Sequence, residues 1–278
     1  MKSPIKIHGG KSYLAKKHIA PLIGSVKYTK YCEPFFGGGS TLFSLDPTDV
    51  SETINDLNYK LTTFWDVIKS ESKFKKLYFI LQCTPFSEIE FVSAAQNTNS
   101  ELEQYLEITD LDIIEAWRFF VINRMSRQAL GKDYATPTSR TRRGMNEHVS
   151  SWLTSIDGLE DIHSRLQRVE IRKMHCLDFI KKYDSPTTMF YCDPPYLHST
   201  RVTKGEYGDY EMNEKEHESL LVLLSKISGK FVLSGYPSAM YNYWREQNKF
   251  QVKYISIDNK ASSKKIKENK LECLWYNY

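Results

Sequence analysis

The stretch Tyr28-Thr29-Lys30-Tyr31-Cys32-Glu33-Pro34-Phe35-Phe36-Gly37-Gly38-Gly39-Ser40-Thr41-Leu42-Phe43-Ser44-Leu45 decides the fold. A β-branched and aromatic run at 28–32 reads as a strand, and three glycines separate it from a short apolar helix at 41–45. Glycines let the backbone turn tightly and approach a ligand where any Cβ would clash. About 20 residues on, Ile54-Asn55-Asp56 closes a second strand on an acid that can accept hydrogen bonds from both ribose hydroxyls. Strand, glycine loop, helix, strand and acid make the layout of a site for a nucleoside-containing cofactor.

Two familiar variants of that layout do not fit. A dinucleotide fingerprint needs a third glycine, and after Gly37 and Gly39 that position is Leu42. Gly10-Lys11-Ser12 looks like the end of a P-loop, but the required earlier glycine falls at Ile5 and no hydrophobic strand precedes it.

Outward from this stretch, further strands are expected at 52–55, 169–174, 188–192, 230–234, 250–257 and 271–276, making seven with the first. Helical patterns alternate with them. Leu57, Leu61, Phe64, Trp65 and Ile68 share one face, as do Leu220, Leu221, Leu224 and Ile227. Asn213-x-x-Glu216 forms a capping box for the latter. This alternation predicts an α/β fold, a Rossmann-like sheet covered on both faces. Between about 60 and 166 the strands give way to helical patterns such as 113–122, with a helix start at Ser87-x-x-Glu90 and a Thr/Ser/Pro/Arg-rich loop at 131–144. The expected organisation is a catalytic domain from 1–59 and 167–278, split by a helical insert at 60–166.

Composition sets the outer limits. The 278 residues are 41% hydrophobic and 26% charged, as in globular proteins, and no apolar run approaches the ~20 residues of a membrane span. No secretory pattern opens the chain. Five cysteines without C-x-x-C spacing predict neither structural disulfides nor a zinc site, and the seven histidines show no ligand spacing, so no metal is expected. The compartment expected is the cytoplasm. Net charge is only +4, but its distribution is uneven. From Phe86 to Glu115 there are eight acids and no Lys or Arg, whereas Ala116 to Glu147 carries seven Lys/Arg against two acids. Such a reversal suits one face that meets phosphates and another turned away from them.

The chemistry is carried by Met189-Phe190-Tyr191-Cys192-Asp193-Pro194-Pro195-Tyr196. An apolar strand delivers a carboxylate, two prolines and a ring to its carboxyl end, where open α/β sheets bind ligands. If the substrate is a flat base with an exocyclic amine, Asp193 and the Pro194 carbonyl can each accept one amine hydrogen and free the nitrogen lone pair. Pro194 and Pro195 stiffen the loop by fixing φ near −65°. Tyr196 can stack on the base and attract a sulfonium through its ring face, so Tyr196→Phe is expected to keep substantial activity and Tyr196→Ala to lose it.

In this order the motifs resemble those of the Dam-like adenine-N6 DNA methyltransferases. Gly9-Gly10-Lys11 is similar to the family's N-terminal cofactor motif, Glu33 to Ser40 to its glycine motif, and Asp193 to Tyr196 to its DPPY motif. Asp178-Phe179 is similar to a motif that contacts the cofactor adenine, and Phe231 to Tyr236 to the strand and loop after the catalytic motif. The resemblance implies S-adenosyl-L-methionine as cofactor, bound by Ile7, Lys11, Phe35, Gly37, Gly39, Asp56, Asp178, Phe179 and Asp193. The family usually has Trp two residues before Gly-Gly-Lys. Here that residue is Ile7, which changes the packing at that edge of the cofactor. It also implies a target-recognition insert, double-stranded DNA as partner, a flipped-out adenine and direct in-line attack of its N6 amine on the cofactor methyl. A companion restriction nuclease and a monomer or weak dimer are further expectations, within a restriction-modification setting.

For DNA contact the best residues are Arg124, Arg127 and Gln128 as base readers and Arg140, Arg142 and Arg143 as phosphate contacts. His198 and Arg201 stand close enough to the catalytic loop to touch substrate, and 260–267 is a basic run. Related motifs also serve cytosine N4 and guanine N2 of rRNA, but compact RNA enzymes usually lack so large an insert. A catalytically inactive DNA-binding protein is a further alternative, disfavoured by the intact Asp193-Pro194-Pro195-Tyr196.

Overall fold

A computed structural model describes residues 1–7, 10–96, 110–200, 210–257 and 270–278. Gly9, Arg201, the run 260–267 and the acids Glu101, Glu103 and Glu107 lie outside the described residues. The strands are β1 (Lys30–Glu33), β2 (Ser51–Asn55), β3 (Thr141–Arg142), β4 (Met145–Asn146), β5 (Val169–Arg172), β6 (Thr188–Cys192), β7 (Lys230–Gly235), β8 (Gln251–Ile257) and β9 (Lys270–Tyr276). Seven of them form one sheet in the order β5-β2-β1-β6-β7-β9-β8, and β3 pairs with β4. β2, β1, β6 and β7 run parallel, whereas β9 is antiparallel to both β7 and β8. All seven sheet strands coincide with expected ones to within two residues at each end. The α/β, mostly parallel fold is the one expected.

The chain divides into two compact units. The first comprises Met1–Ala20, Gly37–Asp46 and Asn58–Lys173; the second comprises Pro21–Phe36, Pro47–Leu57 and Met174–Tyr278. The first is mainly helical, built on Tyr59–Lys69, Glu71–Cys83, Glu88–Gln96, Leu111–Met125, Glu147–Asp157 and Leu159–Leu166. The Leu111–Met125 helix packs against Tyr59–Lys69 and Glu88–Gln96. Phe64 stacks on Phe120 at 5.7 Å, and Thr84 satisfies two buried indoles: its hydroxyl accepts from Trp117 Nε1 (3.0 Å) and its carbonyl from Trp152 Nε1 (3.2 Å). Buried indole N–H groups need such acceptors, which ties the helix that ends at Thr84 to two others.

In the second unit β6 is buried on every residue, because it lies between β1 and β7 with both faces covered. The Glu214–Leu224 helix starts at the expected capping box, with Asn213 accepting from Glu216 N (3.1 Å) and Glu216 accepting from Asn213 N (2.8 Å). Its Leu220, Leu221 and Leu224 join Phe231, Leu233, Phe190 and Trp275 in the core.

Three local expectations need correction. The helix at 41–45 is a single 3-10 turn, Leu42–Ser44. Leu57 is 48% exposed because the helix begins after it: Asn58 is the N-cap, its side chain accepting from Leu61 N. The loop at 131–144 ends in the β3–β4 hairpin, whose two turn residues, Arg143 (φ 56°) and Gly144 (φ 75°), both take the left-handed conformation of a tight two-residue turn.

Candidate active site

Asp193 is the first residue beyond β6. The register pairs Cys192 with Leu233 on β7, so the next residues of the two strands, Asp193 and Ser234, face each other. Ser234 Oγ donates to Asp193 Oδ1 at 2.8 Å. The same oxygen lies 3.2 Å from the Tyr191 hydroxyl, which can donate to it while the serine proton goes to Asp193. Ser234 is wholly buried and Asp193 half-buried. The carboxylate is therefore held by a rigid strand rather than by a loop, and a charge-assisted bond of this kind is stronger than a neutral one.

Pro194 and Pro195 follow, and then Tyr196, 7% exposed. The Tyr196 ring sits edge-on to Tyr236, with centroids 4.7 Å apart and planes at 76°. Its hydroxyl donates to Glu272 Oε1 on β9. Burial, with the nearby Asp193 and Glu272 carboxylates, pushes the Tyr196 phenol well above its ordinary range. Tyr191 rises for the same reasons, burial first and Asp193 second. Both therefore remain neutral donors. Farther along, His198 Nε2 lies 3.5 Å from Glu211 Oε2.

Other expected cofactor residues of the second unit gather around the ends of β1 and β2. Asn55, 1% exposed, ties these ends together: its amide donates to Pro34 O and Met174 O (both 3.0 Å), its side-chain oxygen accepts from Met174 N (2.9 Å), and its carbonyl accepts from Phe36 N (2.9 Å). Phe35 packs on the core at this end and Asp56, half-buried, comes next after Asn55. Glu33, at the end of β1, accepts from the Tyr31 hydroxyl at 2.6 Å. Asp178 and Phe179 separate. Phe179 is wholly buried against Tyr183, whereas Asp178 is exposed in the first turn of the Cys176–Tyr183 helix, 3.9 Å from Lys181 Nζ.

In the first unit the N-terminal segment meets the glycines. A Cβ on Gly38 would lie 3.2 Å from Ile7 Cγ1, and one on Gly10 only 2.9 Å from the Ile7 carbonyl oxygen. Gly37 (φ 51°) and Gly39 (φ 70°) flank this contact in left-handed conformations that favour glycine. Ile7 thus covers the glycine loop, and Lys11, 5% exposed, caps the short helix that follows.

The six polar residues expected at DNA divide into two sets. Arg127 and Gln128 are exposed on a 3-10 turn in which Gln128 (φ 55°) and Ala129 (φ 60°) both adopt left-handed backbone, a strained arrangement for residues with a Cβ. Arg140 and Arg142 are exposed at the hairpin. Arg143 is tied down, its Nη1 donating to Thr154 Oγ1 at 2.7 Å. Arg124 is turned inward: Nη2 donates to the Ser151 carbonyl (2.8 Å) and hydroxyl (2.6 Å), and burial pulls its pKa down to about 10. In that position the Arg124 guanidinium joins two helices of its own unit.

Sequence reasoning assigned no role to Asn55, Ser234 or Glu272. Glu272 left one signal, a lone acid inside the apolar run Leu271-Glu272-Cys273-Leu274-Trp275, and Ser234 left another, a hydroxyl directly after the apolar run Phe231-Val232-Leu233. Asn55 left none beyond its place before Asp56. Among the described residues no group of His, Cys, Asp and Glu has the arrangement of a metal site, and no helix is long and apolar enough to cross a membrane.

No curated protein is significantly similar to this chain. The family model of the D12 class N6 adenine-specific DNA methyltransferases matches it from residue 8 to residue 269. That match spans the glycine loop, the segment 60–166 and the Asp193–Tyr196 loop, and the chain belongs to this family of adenine-specific DNA methyltransferases.

Proposed function

We propose that the chain transfers a methyl group from S-adenosyl-L-methionine to the N6 amine of a flipped-out adenine in double-stranded DNA. The observation that carries this reading is the Asp193 carboxylate, held at the carboxyl end of β6 by Ser234. Bound cofactor supplies an activated methyl on a sulfonium. The residues present suit it: a backbone cradle of glycines at Gly37 and Gly39, covered at Gly38 by Ile7, with Lys11, Phe35, Asp56, Asp178 and Phe179 as its further proposed contacts. Phe179 would act by shaping the wall, since its ring is buried, and Asp178 through its exposed carboxylate.

Asp193 and the Pro194 carbonyl accept the two amine hydrogens. This pulls the nitrogen towards tetrahedral geometry and frees its lone pair for the methyl that bound cofactor would present; the methyl–sulfur bond would break to leave a neutral thioether, and the methylated amine would lose one proton to water. Preorganised acceptors lower the barrier because they need not reorient as charge develops. Tyr196 stacks on the base, and Pro195 limits the freedom of the loop that carries it. No metal is required by this chemistry.

The segment 60–166 is the proposed target-recognition insert. Arg140 and Arg142 are its phosphate contacts, exposed and with no side-chain partner among the described residues. Arg127 and Gln128 are its base readers, presented on the strained turn. Arg143 is a third phosphate contact, exposed and steadied by Thr154, and Arg124 is the remaining base-reading candidate, its guanidinium held by Ser151. The test is transfer of isotopically labelled methyl to DNA by wild type and Asp193→Ala. Label in N6-methyladenine from wild type and none from the variant is the expected result; equal labelling by both would refute the assignment of Asp193.

A further inference from the structure

The last sheet strand contributes a carboxylate that the sequence motifs do not include. Glu272 is 1% exposed on β9, between Leu271 and Cys273. A buried carboxylate is costly unless it is hydrogen-bonded, and an apolar residue would pack there more cheaply. Its partner is the Tyr196 hydroxyl. The register explains the meeting: Gly235 on β7 pairs with Cys273, so the next positions, Tyr236 and Glu272, stand side by side just beyond the paired stretch of β7 and β9. The Tyr196 ring is set edge-on against Tyr236 and its hydroxyl against Glu272.

We propose that Glu272 is a positioning residue for methyl transfer, fixing the plane of the Tyr196 ring by accepting its hydroxyl hydrogen bond. The inference rests on the reading of Tyr196 as the ring that stacks on the target base. A tyrosine ring is a rigid plate with two rotatable bonds. Held at its backbone by Pro195, against its face or edge by Tyr236, and at its far end by Glu272, it keeps one orientation. Ser234 does the corresponding work for Asp193, so two adjacent strands, β7 and β9, hold the two functional ends of the same four-residue loop. The phenol is pushed well above its ordinary range, and a neutral hydroxyl remains the donor across the working pH range.

This changes the expectation for Tyr196→Phe. Removing the hydroxyl leaves the ring face intact but frees the ring and strands a buried carboxylate.

The test uses the full chain, double-stranded DNA and labelled S-adenosyl-L-methionine. It compares Tyr196→Phe, Glu272→Leu, their double variant, Glu272→Gln and Tyr196→Ala for kcat, cofactor and DNA affinity, and melting temperature. Tyr196→Phe and Glu272→Leu should each lower kcat by roughly 10- to 100-fold, the scale of a small misplacement of a reacting group, with both affinities nearly unchanged. The double variant should be no slower than the slower single one, because both remove the same bond. Glu272→Gln keeps an acceptor of the same length and should stay within about threefold of wild type, the rescue expected for a hydrogen-bonding role.

Wild-type kcat in Tyr196→Phe or Glu272→Leu would overturn the proposal, as would losses that multiply in the double variant or a Gln variant as slow as Leu. If Glu272→Leu does not fold, Tyr196→Phe and Glu272→Gln decide alone: a slow Phe variant beside a fast Gln variant supports it, and any other pairing overturns it. Tyr196→Ala separates the two readings. Full activity there would refute the stacking role itself, whereas loss in Ala with none in Phe refutes only the part played by Glu272.

Discussion

Ser234→Ala removes one oxygen from the interior and acts on two neighbours at once. Asp193 loses the donor at 2.8 Å, and the Tyr191 hydroxyl, on a residue 2% exposed, loses the acceptor at 3.2 Å. A hydrogen bond to a charged group contributes about 1.5–3 kcal/mol. If that energy holds Asp193 in its productive orientation, its loss corresponds to a fall in kcat of roughly 10- to 150-fold, at 1.4 kcal/mol per tenfold. The stranded phenol costs about 1–3 kcal/mol of stability instead, since it cannot reach water. Adding Tyr191→Phe separates the effects. The double variant Tyr191→Phe/Ser234→Ala should regain stability in urea unfolding, where both polar partners are gone, yet remain as slow as Ser234→Ala. Tyr191→Phe alone should be nearly as active as wild type. Steady-state transfer of labelled methyl gives kcat, and urea midpoints give stability. A Ser234→Ala enzyme with wild-type kcat, or a double variant that regains rate with stability, would refute the claim that Ser234 orients the carboxylate.

Arg140→Ala/Arg142→Ala should weaken DNA binding and flatten the dependence of log affinity on log salt by roughly 0.9 for each phosphate that is no longer neutralised; an unchanged slope would return the hairpin to an ordinary solvated surface. Arg124→Ala should lower the melting temperature, because its guanidinium serves Ser151, and also shift sequence preference; an unchanged preference would remove it from the base readers. Arg127→Ala and Gln128→Ala should alter which sites are methylated, read by modification-sensitive sequencing, and an identical site spectrum would remove them from the recognition surface. Methylation should persist in excess EDTA, since amine polarisation is assigned to Asp193 and Pro194; a loss restored by one divalent ion would contradict the mechanism.

The periodic and compositional signals in the sequence carry the sheet well. β6 reads as a buried strand because five apolar or small residues end abruptly at Asp-Pro-Pro, and the capping box at Asn213 marks a helix start through chemistry that is wholly local. What escapes is non-local. Nothing in Leu271-Glu272-Cys273 says that a tyrosine 76 positions earlier will donate to the acid, because that pairing depends on β9 lying antiparallel beside β7. Asn55 likewise looks like one polar residue before Asp56, although its four hydrogen bonds tie together the segments around Pro34, Phe36 and Met174. The placement of Arg124 is equally illegible. Its neighbours Arg127 and Gln128 are exposed, but a residue three positions earlier, on the Leu111–Met125 helix, can turn inward to another helix. Spacing locates a guanidinium on the chain, not the face it occupies once neighbouring helices pack.

The most direct test of the central claim is nucleoside analysis of DNA from a methylation-free host, incubated with purified enzyme and S-adenosyl-L-methionine carrying a deuterated methyl. The account predicts deuterated N6-methyldeoxyadenosine from wild type, no product from Asp193→Ala, and no methylated cytosine from either. Deuterium in N4-methyldeoxycytidine, or N6-methyldeoxyadenosine formed at wild-type rate by Asp193→Ala, would contradict it.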